Sequence, residues 1–202
     1  MKGKFLLPAI FILVFALSRI PGLMPWNFSV AYAFMFCAGV YFPGASKWWL
    51  PLAVILPTDL ALNIFHYHVA AFTPEMALNY AIYAMIIGLG KWIGPGAGFF
   101  KLISGGLLGA VVFYLITNTL SWVTDPYYAK TIAGWIQALT IGHTEWHPTT
   151  WEFFRNTLMS TGLFTALFAG AAKIAAESPA DKTAGAHDPG PEAEAEPEEA
   201  KT

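Results

Sequence analysis

Asp59 lies within an apolar run, residues 50–65, that is long enough to cross most of a bilayer. A carboxylate at mid-span costs roughly 2.5–3.5 kcal/mol on insertion scales, and a partner offsets part of that cost. The chain has two arginines, Arg19 and Arg155, and a planar guanidinium can hold a carboxylate through two parallel hydrogen bonds. We therefore expect Asp59 to face the interior of a helix bundle and to pair with one or both arginines.

Asparagines cluster at the same ends of the predicted helices as these charges. Tyr83 follows Asn79 by four residues and Tyr114 precedes Asn118 by four, so each pair shares a helix face. An amide beside an aromatic ring suits a flat organic solute. We predict a solute-binding pocket lined by Arg19, Asp59, Asn63, Asn79, Tyr83, Tyr114, Asn118, Arg155 and Asn156.

Other interpretations of these residues stay open. An ion pair within the membrane can simply fix helix register, and Asp59 could instead relay protons. Tyr83 and Tyr114 could belong to an interfacial aromatic belt.

A second set of polar residues lies in the segment "HTEWH". His143, Glu145 and His147 are two residues apart, so in extended backbone they would share a face and could ligate a divalent ion. His66 and His68 could add donors from another loop. The alternative is that these are ordinary histidines at a membrane interface.

The sequence does not predict an enzyme or a cofactor. It contains no Ser-His-Asp arrangement, and the glycine-rich turn at 94–98 follows no strand that would make it a phosphate cradle. The single cysteine, Cys37, excludes an intrachain disulfide and a cysteine-based zinc site. No long basic patch suggests nucleic acid as a partner.

Only 12% of the chain is charged, against about 25% in soluble domains. This composition suits a lipid environment, so we expect membrane-spanning helices to hold the polar residues in place. A spanning helix needs about 20 mostly apolar residues. We predict an all-α, six-helix transmembrane domain over residues 1–175, with spans at about 5–22, 28–44, 48–65, 76–94, 99–120 and 151–173. The first span also fits a signal peptide that would be cleaved after Ala16-Leu17-Ser18.

Lysines concentrate in the segments that would be cytoplasmic if the N-terminus is inside, so both termini are predicted to be cytoplasmic. The polar residues then fall in the outer half, beneath an amphipathic lid at about 127–142. Small residues at four-residue steps predict close helix packing in the inner half. They are Gly105 and Gly109 in the fifth span and Gly162, Ala166 and Gly170 in the sixth.

The last segment, residues 176–202, is acidic and has no aromatic residue. It cannot bury enough apolar area to fold, so we predict a disordered tail. It would be a solvated tether or a docking site for a partner.

Four stretches carry a resemblance to a known family: "NFSVAYAFMFCAGVYF" (27–42), "LPLAVILPTDLALN" (50–63), "ITNTLSWVTDPYYAKTIAGWIQAL" (116–139) and "FFRNTLMSTGLFTALFAG" (153–170). They resemble an uncharacterised family of small bacterial integral membrane proteins, predicted to be transport proteins. That family is similar in size and six-helix layout to the substrate-binding S components of energy-coupling-factor (ECF) transporters.

The resemblance implies a protein of the bacterial inner membrane that captures a small polar, vitamin-like solute or a metal ion from the outside. Its partners would be the lipid bilayer, the solute and an energising transmembrane subunit with ATPases. The chain departs from the S components in its first helix, where Leu13 rather than alanine follows Ala9 by four residues. The stretch 142–152 is a local elaboration.

Overall fold

The computed structural model describes residues 6–145 and 148–177, in which all regular structure is helical. The helices are α1 (Leu6–Ser18), α2 (Ala31–Tyr41), α3 (Ser46–Ala61), α4 (Pro74–Ile93), α5 (Phe99–Thr124), α6 (Ile132–Thr140) and α7 (Thr150–Glu177), and a π-helical turn (Leu62–His66) continues α3. The predicted all-α class is confirmed. The predicted acidic tail, apart from its first two residues, lies outside the described residues.

Four helical segments have the length and apolar composition to cross a membrane: Ser46–His66, Pro74–Ile93, Phe99–Thr124 and Thr150–Ala176. They correspond to the last four predicted spans and favour a multi-pass membrane protein. The first two predicted spans are shorter than expected, because α1 has 13 residues and α2 has 11. A count of six complete spans stays a prediction.

Residues that break helices explain why α2 is short. Pro25 and Asn27 precede it, and Asn27 has a positive φ of 56° that an α-helix cannot contain. Pro43 and Gly44 follow it, and Gly44 has a φ of 52°. The remaining apolar residues of the predicted span are therefore irregular.

Helix α2 forms the centre of the bundle. Its residues from Ala31 to Val40 are all buried, and it packs against α3, α4, α5 and α7. A helix that is apolar on every side must be kept from water on all its faces, and here the neighbouring helices enclose it. At 1.5 Å per residue its length is about 16 Å, roughly half of the 30 Å hydrocarbon thickness of a bilayer.

The bundle has two ends, which we name by the segments that form them. We call the end formed by residues 19–30, 62–73, 125–145 and 148–149 the lid end, and the end formed by the turns at 42–45 and 94–98 the turn end. Both ends carry exposed aromatic residues, which is typical of the two interfaces of a membrane. They are Trp26, Phe65, Tyr67, Phe72 and Trp151 at the lid end, and Trp48, Trp49, Trp92 and Phe100 at the turn end.

Close packing of α2 on α4 closes the turn end. A Cβ atom on Gly39 would lie 2.2 Å from the carbonyl oxygen of Ile87, and one on Gly90 would lie 2.1 Å from that of Phe36. Only glycine permits such an approach of two helix backbones. This contact was not predicted from the sequence. The prediction of close packing concerned small residues of α5 and α7 instead.

The predicted small-residue packing holds for α5 and fails in part for α7. A Cβ on Gly105 would lie 2.5 Å from the Ile93 side chain, and one on Gly109 would lie 3.2 Å from Ile86. Gly162 has only an ordinary 3.6 Å contact with Leu107, and a Cβ on Gly170 would have no neighbour within 4 Å among the described residues. Gly170 therefore faces away from the packed interior.

Candidate functional site

Asp59 pairs with Arg19, as predicted. The Nη2 atom of Arg19 donates a hydrogen bond to Oδ1 of Asp59, and the Tyr80 hydroxyl donates to Oδ2 at 3.1 Å. The two charged side chains are only 19% and 17% exposed. The carboxylate therefore faces inward and joins α1, α3 and α4 near the lid end.

The backbone around Asp59 is irregular. Pro57 has no N–H group and interrupts the hydrogen bonding of α3 two residues earlier. Three residues later α3 widens into the π-helical turn Leu62–His66, a form that is often found at functional sites. Asp59 thus lies in a stretch whose side-chain directions depart from those of a regular helix.

A cavity of ≈ 380 Å³ opens at the lid end, and we call it the lid cavity. Aromatic residues supply much of its wall: Tyr32, Phe113, Tyr114, Tyr128, Phe153 and Phe154. Amide and hydroxyl groups line it from Asn27, Thr117, Asn118, Ser121, Thr150 and Thr157. One carboxylate and one imidazole, those of Asp125 and His143, also line it. This composition provides both stacking surfaces and hydrogen-bonding groups.

One face of α5 provides the polar side of the lid cavity. Tyr114, Thr117, Asn118 and Ser121 are spaced three or four residues apart and so share that face. The Asn118 amide nitrogen donates to the Tyr114 carbonyl at 2.8 Å. This bond uses the amide nitrogen, so the amide oxygen can accept a hydrogen bond from a molecule in the cavity.

Tyr114 connects this face to the lid. Its hydroxyl donates to the carbonyl oxygen of Leu139 in α6, and its ring stacks on Phe154 of α7 with centroids 3.8 Å apart. The indole nitrogen of Trp135 donates to Thr119 at 3.0 Å. The predicted lid segment 127–142 thus contains a short helix, α6, that is fixed to both α5 and α7.

An acid–imidazole contact holds the other edge of the lid. The Nε2 atom of His143 lies 2.8 Å from Oδ2 of Asp125, and the imidazole stacks on Tyr127 with centroids 3.9 Å apart. The Tyr127 N–H donates to Oδ1 of Asp125 at 2.9 Å. The Tyr127 N–H, followed by the His143 side chain, lowers the pKa of Asp125 below its ordinary value of 3.8.

This shift predicts that the lid loosens in acid. A carboxylate whose folded pKa is lowered stabilises the folded form above its unfolded pKa, and that contribution is lost as the pH falls through the folded pKa. We expect hydrogen exchange in residues 127–145, corrected for the intrinsic rate, to be slow from pH 5 to 8 and to accelerate below about pH 4. Asp125→Asn should exchange faster already at neutral pH. Equal protection of the original protein at pH 3 and pH 7 would contradict the role given to Asp125.

The structure does not bring the nine predicted pocket residues into one site. Tyr114 and Asn118 line the lid cavity, whereas Arg19 lines a second cavity of ≈ 520 Å³. Arg155 is exposed and makes no ion pair within the part of the chain that the structure describes. Asn79 is half-buried and lines neither cavity.

Two of the predicted asparagines hold loops. The Asn63 amide donates to the Ala71 carbonyl at 3.1 Å, and the Asn156 amide donates to the Trp26 carbonyl at 2.9 Å. Amides are abundant at the lid end partly because irregular backbone there needs hydrogen-bond partners. A binding role for these two residues stays a prediction.

Aromatic residues link the ion pair to the lid cavity. The ring centroids of Tyr80 and Tyr83 are 5.7 Å apart, and those of Tyr83 and Tyr32 are 6.3 Å apart. Phe113 packs on both Tyr83 and Tyr32, at 5.8 Å and 4.7 Å. Tyr83 therefore lies behind the cavity wall. Tyr32 and Phe113, which reach the cavity itself, were not predicted.

A row of threonines on α7 was also missed. Thr157 lines the lid cavity and is 4% exposed, while Thr161 and Thr165 are fully buried. The hydroxyl oxygens of Thr161 and Thr165 have no hydrogen-bond partner among the described residues. Their four-residue spacing in the sequence could have indicated that they share one face of a helix. The row of threonines extends about 12 Å along α7 from the cavity.

The metal-site prediction is not tested by this structure. No group of three His, Cys, Asp or Glu side chains suited to a metal ion occurs within residues 6–145 and 148–177. His147 lies outside the described residues, Glu145 is exposed and His143 contacts Asp125. Ligation by His143, Glu145 and His147 therefore stays a prediction.

Comparison with known proteins identifies a family but no activity. No curated protein matches the chain, and no solved structure matches it. A family model described as "Family of unknown function (DUF6580)" matches residues 1–183. The match covers every helix described above. The chain therefore belongs to DUF6580, a family whose function is unknown.

Proposed function

We propose that this protein is a membrane solute-binding protein that holds a small polar molecule in the lid cavity. The observation that carries the proposal is that one cavity is lined by the polar face of α5, residues 114–121, by the stacked rings of Tyr114 and Phe154, and by the lid residues Tyr128 and Ile141. A cavity of ≈ 380 Å³ falls within the range of about 300–1,000 Å³ that small-molecule sites occupy. Aromatic side chains with polar groups that fix the orientation of a ligand are also typical of such sites.

The charges at the cavity favour an uncharged solute. Asp125 and His143 are the acidic and the imidazole side chain among the lining residues, and they contact each other at 2.8 Å. Neither group is therefore available as a strong counter-charge without breaking that contact. A flat, vitamin-like molecule with several hydrogen-bonding groups would fit this lining.

Packing at the turn end favours binding over conduction. A channel needs a continuous polar path, whereas here α2 fills the centre with buried apolar residues and meets α4 backbone to backbone. We propose that the lid end faces the outside and that the protein is an S-component-like subunit. An energising transmembrane subunit with ATPases would then dock at the turn end.

A structural role is the better interpretation of the ion pair itself. Asp59 does not line either cavity, and its carboxylate joins three helices through Arg19 and Tyr80. We therefore assign solute contacts to Tyr114, Asn118 and their neighbours. Asp59 would act by fixing the register of the helices that carry them.

The test compares the same substitution at two membrane-embedded asparagines. Asn118→Leu should weaken solute retention about tenfold, because a lost hydrogen bond to a bound molecule is worth about 1 kcal/mol or slightly more. Asn79→Leu, outside the cavity, should leave retention unchanged. Native mass spectrometry of gently extracted protein would detect the retained molecule and measure its loss. Equal effects of the two variants, or no retained molecule in any preparation, would contradict solute binding in this cavity.

A further inference from the structure

We propose that the second cavity binds the phosphate of a glycerophospholipid at the lid end of the bundle. This inference goes beyond solute binding and does not depend on it. The cavity has a volume of ≈ 520 Å³ and lies between the segment 18–29 and the end of α3. Its polar lining comes from Ser18, Arg19, Asn27, Ser29 and His66.

Arg19 supplies the positive charge of this cavity. A guanidinium has five N–H donors, and the hydrogen bond to Asp59 uses one of those on Nη2. The Nε atom of Arg19 is buried and has no hydrogen-bond acceptor among the described residues. Asp59 is not part of the cavity lining. The guanidinium therefore has donor capacity beyond the ion pair, and phosphate oxygens are acceptors that match its planar fork.

His66 adds a second donor. It lies at the end of the π-helical turn, is exposed, and packs edge-on against Tyr67 with ring centroids 4.8 Å apart. Its imidazole can donate to an anion in either protonation state. Arg19 and His66 are the basic side chains among the lining residues of this cavity, and both suit an anionic headgroup.

Exposed apolar side chains at this cavity indicate that the ligand is an amphiphile. Ile20 is 51% exposed, Trp26 is 62% exposed and Tyr67 is 56% exposed, and all three line the cavity. Leu23 and Phe65, beside lining residues in the chain, are 54% and 77% exposed. Such a patch is costly in water but stable against lipid chains, and Trp and Tyr are typical of the headgroup level. A free phosphate ion would leave these surfaces uncovered.

The wall between the two cavities is well fixed. Asn27 lines both cavities. The carbonyl of Trp26 accepts from Asn156 at 2.9 Å, and that of Asn27 accepts from Thr157 at 3.4 Å. Helix α7 thus holds residues 26 and 27 in place, so the wall that separates the second cavity from the lid cavity has a fixed backbone.

The experiment titrates the purified full chain in detergent with three probes. Dioleoyl phosphatidylglycerol has both phosphate and chains, dioleoylglycerol has the chains alone, and inorganic phosphate has the anion alone. We expect one phosphatidylglycerol to be retained in native mass spectra and to raise the melting temperature. Each of the other probes should bind at least about tenfold more weakly, since each lacks one of the two interactions.

Two variants and a matched control locate the site. Arg19→Lys keeps the charge but loses the planar fork, and should weaken phosphatidylglycerol binding about tenfold. Arg155→Lys makes the same change at the exposed arginine and should have no effect. His66→Gln, expected to weaken binding about threefold, decides the matter if Arg19→Lys does not fold.

Three results would overturn the proposal. Dioleoylglycerol could bind as tightly as phosphatidylglycerol, which would make the contact purely apolar. Inorganic phosphate could bind as tightly as the lipid, which would make the site a free-anion site. Finally, Arg155→Lys could weaken binding as much as the variants at the cavity, which would show a diffuse surface effect.

Discussion

Asp59→Ala should lower the free energy of unfolding by about 3 kcal/mol, because it leaves the Arg19 guanidinium enclosed without its carboxylate. The side chains of the pair are only 19% and 17% exposed, so water cannot fully replace the lost partner. Chemical denaturation of the detergent-solubilised protein, followed by circular dichroism, would measure the change. Arg155→Ala, at the exposed arginine, should shift stability by less than about 0.5 kcal/mol.

A double variant separates the pair from its members. Replacing Arg19 and Asp59 together by leucine should cost less than the two single replacements added together, because no unpaired charge remains. Costs that simply add would mean that the two side chains do not interact. The hydrogen bond from Tyr80 to Asp59 makes a smaller contribution to stability, and Tyr80→Phe should lower the free energy of unfolding by about 1 kcal/mol.

Gly90→Ala should be the most destabilising single-methyl change at the turn end. The added Cβ would lie 2.1 Å from the carbonyl oxygen of Phe36 and 3.2 Å from the Cα of Gly39. Backbone atoms of a central helix cannot move aside cheaply, so we expect a loss of about 3 kcal/mol or more, or no folded protein. Melting temperature and the yield of monodisperse protein would report it.

Gly88→Ala is the matched control, because Gly88 lies in the same helix two residues earlier. A Cβ there would have only an ordinary contact, 3.7 Å from the Trp48 ring. Alanine favours helix over glycine by up to about 1 kcal/mol, so this variant should be neutral or stabilised. Similar losses for both variants would contradict the close approach of α2 and α4.

The sequence was most informative where a rare residue had few possible partners. Asp59 had two arginines to choose from in a chain with few charges, and Arg19 proved to be its partner. The four-residue spacing of Tyr114 and Asn118 correctly predicted a shared helix face. Spacing within one helix is fixed by geometry, so such predictions need no knowledge of the other helices.

Predictions that needed the relative rotation of helices were less successful. Depth along a helix can be estimated from residue number, but the direction of a side chain around the bundle depends on packing. Asn63 and Asn156 lie near the lid end, yet each bonds to a loop carbonyl. Thr161 and Thr165 were overlooked because threonine is common in membrane helices and carries no charge.

The reduced length of α2 was also within reach of the sequence. Pro25 and Asn27 on one side and Pro43 and Gly44 on the other mark its limits. The span was predicted at 28–44 because about 17 to 25 residues are needed to cross a bilayer that is about 30 Å thick. That requirement applies to helices in contact with lipid. A helix enclosed by other helices is free of it.

This arrangement shortens the distance over which any cargo would have to be moved. In the proposed orientation, a molecule resting beside Tyr32 would lie at the first turn of α2. The helix between that molecule and the turn end is about 16 Å long, or three turns. Because Gly39 and Gly90 hold α2 and α4 backbone to backbone, these two helices would have to move together in any rearrangement that opened the turn end to that molecule.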